Sequence, residues 1–576
     1  MNRPTPAIVS QSAVRRLPRV ALILFCVAYV LPGFLGREPW KNADVGALGA
    51  MLELAAGSAD WWRPAVLGVG VIDPGPLPYW IGAWFIHLLP FLPADLAART
   101  PFALMLGFTL ACTWYATYHL ARQPAALPVA FAFGGEAQPT DYARALADAA
   151  LLALVACLGL AQLSHETTPD VARLAWTASM LFGAARLVQP QPGARWRTLL
   201  WWTLGVAGLV LSGSAALALL LGVGWLALAA LALQSRPSDG GEGPTDWIGL
   251  ALAATIWLGL VVASFATGLI QWPHVAAAIA RLPLDSWVRL LLWFTWPAWP
   301  LALWTLWRWR RQWQQPHVAL PLWMVLVVVL HTLLADERDR ALLLSLPALA
   351  ALAAFALPTL RRSVAALIDW FTLLFFSFCA LVIWVIWVAM MTGVPAKPAA
   401  NVAKLAPGFV PEFSFGLFVV GAIATGAWLW LVAWRVGRHR EAIWKSLVLP
   451  AAGSTLCWLL LMTLWLPLLD FGRSYGPIAR RIASLVPTDG CVLVDSLTQA
   501  QIAALQHQGG LRLVRSTDAT NAANATQPVC ESLVVSPEGQ LTLANRVELT
   551  QWAFKSTVSR LTDNRERLLL YQRVGR

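Results

Sequence analysis

The residues best able to do chemistry in this sequence are carboxylates and arginines in short polar segments between long apolar runs. Asp44 and Asp73 lie in the polar segment after the first apolar run, and residues 164–170 and 336–340 each crowd several charged groups together. A carboxylate can accept a proton from a reacting hydroxyl, and an arginine can bind an anion such as a phosphate. Ionisable groups between apolar runs are costly unless they are solvated or functional, so these segments are the first candidates for a site.

Each segment also has a purely structural interpretation. Asp44 precedes the helical stretch Val45–Glu53, and a carboxylate is favoured at a helix start as a plain N-cap. Asp170 could cap the helix that follows it in the same way. Residues 336–340 could form a solvated turn whose exposed ion pairs contribute little to stability. The residue types alone leave both interpretations open.

Two common kinds of site are not predicted. The sequence has no CxxC motif, no cysteine–histidine cluster and no glycine-rich loop with nucleotide-binding spacing, so neither a zinc site nor an ATP-driven machine is expected. His165 lacks the His-x-x-x-His spacing of a metal-binding helix, so we expect it to be a hydrogen-bonding partner. No metal is predicted, because the loops lack a dense set of oxygen ligands.

The composition indicates which elements must position these residues. Of the 576 residues, 58% are hydrophobic and only 12% are charged, and the mean hydropathy is +0.61. A soluble domain carries roughly twice that charged fraction. Many of the 33 tryptophans lie near the ends of apolar runs, where indole rings favour the headgroup zone. The net charge of +12 is dispersed in short loops, which favours a membrane protein over a nucleic-acid-binding protein.

Repeated apolar runs of about 20 residues predict a mainly α-helical, polytopic transmembrane bundle of about thirteen spans. Arg15, Arg16 and Arg19 precede the first run, so the N-terminus is expected in the cytoplasm. A signal peptide is the less favoured alternative, because no clear small-residue cleavage site follows. The stretch Pro78–Leu92 breaks the alternation of basic loops and is expected to be an interfacial or re-entrant helix on the outer side. The predicted spans are 20–35, 101–121, 147–164, 171–188, 198–212, 215–233, 247–270, 287–307, 317–335, 341–359, 367–392, 414–434 and 446–469.

Two outer segments stand out by their length. A transmembrane domain of residues 1–470 contains a large first outer loop, 36–100, and residues 471–576 form a polar tail. Alternating and apolar patterns in the tail predict strands at 491–495, 511–514, 532–535 and 567–574 and a helix at about 498–505. The tail is therefore expected to be a small α/β domain outside the membrane.

Cysteine usage agrees with that placement. Five of the seven cysteines lie inside apolar runs, where they are most simply small apolar residues. Cys491 and Cys530 are the two in the tail, and a disulfide between them would suit an oxidising outer compartment.

The first outer loop resembles that of GT-C-type membrane glycosyltransferases, the protein mannosyltransferase and aminoarabinose transferase group. In that family a "DE" pair opens a helix, a "GDW..P...G" pattern follows, and an "EKPP..YW" segment closes the loop. Asp44 falls on the first carboxylate and Asp73 on the Glu of "EKPP", whereas Val45 and Pro74 replace charged family residues. The other positions that carry the resemblance are Asp60-Trp61, Pro64, Gly68, the end of the segment at Trp80, and Arg99-Thr100-Pro101.

The resemblance implies a GT-C-like fold and a glycosyltransferase of the bacterial inner membrane, with the C-terminal domain in the periplasm. It would move a sugar from a polyprenyl-phosphate carrier, its donor substrate, to a lipid, glycan or protein acceptor, without a further cofactor and as a monomer. The implied catalytic residues are Asp44 as general base, with Asp170 or alternatively Glu166 orienting the acceptor or sugar. Asp73 and Tyr79 of the matching segment are the implied substrate-binding residues, and His165 is expected to assist as a hydrogen-bonding partner. Because Pro74 replaces the lysine that would bind the phosphate, the candidates for that contact are the arginines placed on the outer side, Arg63, Arg99, Arg338 and Arg340.

Other functions stay open at this point. The changes at Val45 and Pro74 imply either a different donor or acceptor or a loss of catalysis. A transporter or flippase of lipid-linked saccharides would share the spans, but its expected charged residues in mid-span are almost lacking here. A non-catalytic assembly protein is a third class. Convergence of Asp44 and Asp170 on one cavity would favour an enzyme over a scaffold, which has no reason to bring them together.

Overall fold

A computed structural model describes residues 5–189, 195–234, 245–270, 284–436, 442–487, 490–516, 530–544, 546–560 and 562–574. The described chain is mainly helical, with a small sheet near the C-terminus. The helices are α1 Arg19–Val30, α2 Lys41–Ala55, α3 Leu77–Leu88, α4 Ala94–Ala121, α5 Pro139–Ala156, α6 Leu160–Leu163, α7 Pro169–Leu187, α8 Arg195–Leu211, α9 Ala215–Gln234, α10 Thr245–Ala266, α11 Leu284–Phe294, α12 Ala298–Arg308, α13 Pro316–Leu334, α14 Arg338–Leu343, α15 Leu346–Ala356, α16 Arg362–Thr392, α17 Ala396–Leu405, α18 Phe415–Val436, α19 Val448–Leu461, α20 Leu466–Arg473, α21 Gly476–Leu485, α22 Gln499–His507 and α23 Gln540–Leu543. The strands are β1 Ala65–Val66, β2 Val69–Gly70, β3 Cys491–Asp495, β4 Arg512–Arg515, β5 Ser532–Val535, β6 Trp552–Arg560 and β7 Asp563–Arg573.

Within the described residues, seven helical segments are long and apolar enough to cross a membrane, judged by length and composition. The count of about thirteen spans is not confirmed, because several predicted runs form shorter helices. The run 287–307 is two helices, α11 and α12, that meet at Pro297, and the run 446–469 is broken before Pro467. Proline lacks an amide N–H and clashes with the preceding turn, so a helix ends there and a new one begins. The seven segments are 94–121, 215–234, 247–266, 316–334, 362–392, 415–435 and 443–461.

The centre of the bundle is built from α4, α5, α7 and α15, which are buried along most of their lengths. Small residues let these helices approach closely. A Cβ added at Gly205 of α8 would come within 2.6 Å of the Met180 backbone, and one added at Gly183 within 2.8 Å of the Trp202 backbone. Close packing of this kind associates helices where lipid removes the hydrophobic drive. The bundle thus gives the loops at its end a rigid support.

The first outer loop folds into α2, an antiparallel β1–β2 pair, and α3 before α4 begins. Residues predicted as an interfacial or re-entrant segment therefore do form a helix, α3. Helix α2 is rich in alanine and leucine, which favour helix, and it packs between α3 and α22. Gly49 makes the α22 contact possible, because a Cβ there would meet the Ala503 Cβ at 2.5 Å.

The C-terminal sheet has the strand order β4-β3-β5-β7-β6. Strand β3 pairs in parallel with β4 and β5, whereas β7 pairs antiparallel with β5 and β6. Cys491 and Cys530, the pair suggested by the sequence, form a disulfide with their Cα atoms 4.8 Å apart. With α22 on one side, the sheet forms the small α/β unit that the polar, alternating tail predicted.

Candidate active site

Asp44 lies in the first turns of α2, but it is not the N-cap that the structural interpretation proposed. Trp40 is the N-cap residue, and the Asp44 side chain reaches back to it, so that the Trp40 N–H donates to Oδ2 at 3.0 Å. The Thr167 N–H donates to Oδ1 at 2.7 Å, and Arg37 Nη2 lies 2.9 Å from Oδ2. Asp44 therefore ties the first outer loop directly to residues 164–170.

The charge of Asp44 is balanced inside the protein. Its side chain and that of Arg37 are each only 1% exposed. Burial opposes ionisation, yet Arg37, Arg99 and the two backbone N–H groups outweigh it and hold the pKa of Asp44 below its usual range. Asp44 is thus an ionised carboxylate whose two oxygens both already accept hydrogen bonds.

Glu166 and Asp170 are joined by one arginine from α14. Arg340 places Nη2 2.5 Å from Glu166 Oε2 and Nη1 3.1 Å from Asp170 Oδ2. Asp170 is the second residue of α7, whose N-cap is Thr168, so Asp170 pairs with cations instead of capping the helix. Burial raises the pKa of Glu166, followed in the same direction by the charge of Asp44, while Arg340 and Arg37 oppose the rise. Residues 336–340 are therefore not simply a solvated turn.

Arg173 extends this cluster to the first outer loop. It lies one turn after Asp170 on α7, with Nη1 3.0 Å from Asp170 Oδ1 and Nη2 2.6 Å from Asp73 Oδ1. The Asp73 side chain is 35% exposed, whereas that of Asp170 is 10% exposed. Asp73 therefore marks the side of the cluster that solvent or a substrate can reach.

Tyr79 on α3 is buried close to the same groups. Its pKa is raised, first by burial and then by the charges of Asp73 and Asp170, while Arg173 has the opposite effect. A phenol with a raised pKa stays protonated and can donate a hydrogen bond. Tyr79 therefore adds a polar group at the edge of the cluster.

Of the other residues predicted to bind substrate, two are buried near these contacts and two lie apart from them. The His165 ring is fully buried, with Nε2 2.9 Å from the Tyr29 carbonyl and Nδ1 against the Ala161 carbonyl. Arg99 is buried beside the Asp44 pair and donates to the Arg37 carbonyl. Neither of the two remaining arginines is placed among the described contacts of these carboxylates: Arg63 is exposed before the β1–β2 hairpin, and Arg338 begins α14.

Asp44 is linked to the segment that carries Glu166 and Asp170 through the backbone of that segment. Asp44 binds the backbone of Thr167, and the side chains of Glu166 and Asp170 flank that contact in sequence. We call Asp44, Asp73, Glu166 and Asp170 with Arg37, Arg173 and Arg340 the carboxylate–arginine cluster. Such an arrangement can orient a hydroxyl, accept its proton and bind a phosphate.

A cavity of about 690 Å³ lies beside the cluster, along the face of α2 that carries Val45, Leu48 and Leu52. Arg37 and Arg99 line it, but the four carboxylates of the cluster do not. The cavity therefore meets the cluster at Arg37, and Asp44 and Asp170 do not converge on it. Among the described residues, no group of three or more histidine, cysteine or acidic side chains could hold a metal ion.

Sequence reasoning missed several residues of the cluster and its surroundings. Arg173 had a signal, since a charged residue three positions after Asp170 inside an apolar run marks a functional candidate. Arg37 had none, because its contact with Asp44 depends on how the chain turns into α2. The contacts of Trp40 with α20, across more than 400 residues, also leave no trace in sequence spacing.

No family model and no curated protein matches the chain. Among solved structures it is similar to the aminoarabinose transferase ArnT of Cupriavidus metallidurans, both bound to undecaprenyl phosphate and in the apo state. Each comparison has a TM-score of 0.60 and 17% identity, and covers 96% of this chain and 97% or 96% of ArnT. The archaeal oligosaccharyltransferase AglB of Archaeoglobus fulgidus, in complex with an inhibitory peptide and a dolichol-phosphate, has a TM-score of 0.43 at 11% identity, covering 93% of this chain and 72% of AglB. The likeness to ArnT shows that this chain has the GT-C fold of that aminoarabinose transferase.

Proposed function

We propose that this protein is a glycosyltransferase that moves a sugar from a polyprenyl-phosphate carrier to a lipid, glycan or protein acceptor. The observation that carries the proposal is the carboxylate–arginine cluster, in which Asp44 from the first outer loop accepts from the Thr167 backbone and Arg340 joins the neighbouring Glu166 and Asp170. The cluster lies on a fold shared over nearly the whole chain with a protein crystallised with undecaprenyl phosphate. Buried carboxylates in a membrane protein are costly unless they are functional, which supports an enzyme over a scaffold.

The leaving group of the proposed reaction is a lipid phosphate, whose charge needs cationic donors. Family members have a lysine where this chain has Pro74, so another cation must replace it. Arg173 and Arg340 are our candidates, because they lie beside Asp73 and Asp170 and are shared among several carboxylates. A guanidinium can bind phosphate with two parallel hydrogen bonds, and its transfer from Asp170 to the phosphate would free that carboxylate.

Asp44 is the proposed catalytic base, and Asp170 or Glu166 orients the acceptor or the sugar. The low pKa of Asp44 keeps it ionised at neutral pH, as a base requires. Both of its oxygens are occupied in this structure, so the acceptor must displace Arg37 or share Oδ1 with Thr167. Asp73 and Tyr79 would contact the sugar from the more open side, and Arg63, Arg99, His165 and Arg338 are proposed to act less directly.

We also propose an orientation in the membrane. About thirteen segments, counting helices shorter than the seven long ones, would cross the bacterial inner membrane, with the N-terminus in the cytoplasm. The cluster and the C-terminal domain would then lie on the periplasmic side, where the Cys491–Cys530 disulfide suits the oxidising conditions. The protein would work as a monomer together with its lipid carrier and its acceptor.

The test is transfer of a labelled sugar from a panel of polyprenyl-phosphate donors in membranes. Asp44→Asn should abolish transfer without changing membrane insertion, because it removes the charge and keeps the shape. Asp285→Asn, an exposed change in the first turn of α11, is the matched control and should transfer normally. Equal transfer by wild type and Asp44→Asn would exclude Asp44 as the base. No transfer by the wild type across the panel would contradict the proposed function.

One ion pair bears on the transporter alternative. Asp369 of α16 and Arg435 of α18, two of the long apolar helices, form a buried ion pair of 2.8 Å. Arg435 lies at the end of α18 and Asp369 in the first turns of α16, so the pair lacks the mid-span position expected of a transport pathway, and its role can be tested directly. Movement of a fluorescent lipid-linked saccharide across proteoliposomes, lost in Asp369→Asn and retained in Asp44→Asn, would support that function over the transferase.

A further inference from the structure

Helix α20, Leu466–Arg473, lies between the membrane bundle and the C-terminal domain and is linked to the carboxylate–arginine cluster through two intermediate residues, Trp40 and Gln162. Pro467 near its start separates it from α19, and Ser474 follows it immediately. Asp470 and Arg473 are three residues apart and therefore lie on the same face of the helix. Each of these side chains is the first member of a chain of contacts that ends at a carboxylate of the cluster.

The first chain of contacts runs from Asp470 to Asp44. The indole N–H of Trp40 donates to Asp470 Oδ1 at 2.6 Å, and the backbone N–H of Trp40 donates to Asp44 Oδ2 at 3.0 Å. One residue thus binds α20 with its ring and the proposed base with its backbone. Trp40 is 3% exposed and also pairs with Ser474 through a β-bridge.

The second chain of contacts runs from Arg473 to Glu166. Arg473 Nη1 donates to Gln162 Oε1, and Gln162 Nε2 donates to Glu166 Oε1 at 3.2 Å. The other oxygen of Glu166 is held by Arg340. Gln162 therefore links a residue more than 300 positions away to the orientation of a proposed catalytic carboxylate.

The Trp40 ring brings the two chains of contacts together. The guanidinium carbon of Arg473 lies 5.2 Å from the ring centroid, and that of Arg37 lies 4.7 Å from it. Arg37 in turn pairs with Asp44. A tryptophan fits this position because it combines an aromatic face for two cations with an N–H for Asp470.

We propose that α20 is the positioning element of the site, and that Asp470 and Arg473 are positioning residues for Asp44 and Glu166. The proposal rests on the proposed function and adds a role for the C-terminal domain. Ser474 and α21 continue directly from α20, and α22 of the C-terminal domain packs on α2. In this proposal the packing of the domain on α2 fixes α20, and α20 in turn fixes the positions of Asp44 and Glu166. Hydrogen-bonded partners that act through another residue change reactivity by changing geometry, and small displacements are costly in rate.

The first experiment is a double-mutant cycle on transfer activity with Arg473→Ala, Gln162→Ala and the double variant. We expect each single change to lower kcat by roughly tenfold to a hundredfold with little change in KM, since the substrate contacts remain. If Arg473 acts through Gln162, the double variant should be no slower than the slower single one. Independent effects that multiply, or a change confined to KM, would overturn the proposal.

Conservative variants separate positioning from support of the fold. Arg473→Lys keeps a donor that can reach Gln162 and should recover part of kcat, whereas Arg473→Met keeps only the length of the side chain and should not. Trp40→Phe removes the N–H to Asp470 while keeping an aromatic face, and should lower kcat in the same way. Full kcat in Arg473→Met or Trp40→Phe would contradict the proposal.

A second measurement does not depend on activity. Hydrogen exchange of the amides in residues 160–170 and 40–46 should be faster in Arg473→Ala than in wild type, with no change in α9. The exposed Arg362→Ala serves as the control. Unchanged exchange would overturn the positioning role even in an active enzyme. Faster exchange in a protein that transfers no sugar would contradict the proposed function alone.

Discussion

Asp44 and Asp73 belong to the same outer loop, yet their surroundings are opposite. Asp44 is 1% exposed, and its two oxygens accept from two backbone N–H groups and one buried arginine. Asp73 is 35% exposed, and Arg173 is the arginine that it shares with Asp170. The first carboxylate is thus fixed by the fold, whereas the second lies where partners can be exchanged. Fixed charges set geometry at low reorganisation cost, and exchangeable ones can bind a substrate.

Arg37→Ala removes the buried cation beside Asp44, the carboxylate fixed by the fold, and should have the largest effect. It would leave Asp44 buried without its cation, which typically destabilises a protein by about 3–5 kcal/mol. We expect little folded protein, a lower thermal midpoint in detergent, and no transfer. Arg362→Ala, at the exposed start of α16, should behave as wild type in both measurements. A normal thermal midpoint for Arg37→Ala would mean that the buried pair with Arg37 does not hold Asp44 in place.

Arg340→Ala removes a cation that Glu166 and Asp170 share, and it should lower activity more than stability. Its side chain is 14% exposed and pairs with Glu166, Asp170 and Glu337. Without Arg340, Asp170 keeps its pair with Arg173, and Glu166, whose pKa is already raised by burial, can take up a proton, which limits the structural cost. If it binds the leaving phosphate, transfer should fall about a hundredfold or more, while the thermal midpoint changes less than in Arg37→Ala. A stability loss as large as that of Arg37→Ala would mean that Arg340 supports the fold as much as the buried Arg37–Asp44 pair does.

Part of this comparison could be predicted from sequence and part could not. Asp44, Glu166, Asp170 and Arg340 stood out because charged groups between apolar runs are rare. Arg37, Trp40 and Arg473 did not, since their importance comes from contacts between segments that are far apart in the chain. Charged residues with a local signal in the sequence were therefore predicted as site candidates, whereas residues that hold them in place from distant segments were not.

The same limit applies to the fold. Hydropathy found where helices lie, but Pro297 and Pro467 divide two of the predicted runs. Strand β6 was not predicted, because it lies at the edge of the sheet and its exposed and buried positions do not alternate regularly. An edge strand needs less apolar patterning than a central one, so its sequence carries less information.

Asp470 of α20 allows a pH-dependent test of the buried contacts around Trp40 and Asp44. Burial, followed by the charge of Glu38, raises the pKa of Asp470 to about 6, against the hydrogen bonds from Trp40 and the Glu38 backbone and the charge of Arg37. Asp470 binds its proton more tightly in the folded protein than in the unfolded chain, whose pKa is about 4. The folded state therefore gains stability at pH values below about 4, and this gain is lost as the pH rises through about 6. The loss corresponds to about 2–3 kcal/mol.

Asp470→Asn should remove that dependence. The variant keeps an acceptor for the Trp40 indole N–H but cannot ionise, so the difference in thermal midpoint between variant and wild type should grow from pH 4 to pH 6.5. Asp285→Asn should show the wild-type profile throughout. Parallel profiles for Asp470→Asn and wild type would show that Asp470 does not titrate in this range.

Asp73→Asn should have the smallest effect and the most specific one. The change keeps the shape and removes one charge at a position that water reaches, so the thermal midpoint should stay close to wild type. Arg173 would then be shared with Asp170 alone, and its hold on an incoming phosphate should become stronger while its contact with the sugar is lost. We therefore expect kcat to fall about tenfold with KM for the donor unchanged or lower, which indicates removal of ground-state competition for the arginine. A higher KM with unchanged kcat would instead mean that Asp73 only binds substrate, and that the exchange of partners around Arg173 takes no part in the reaction.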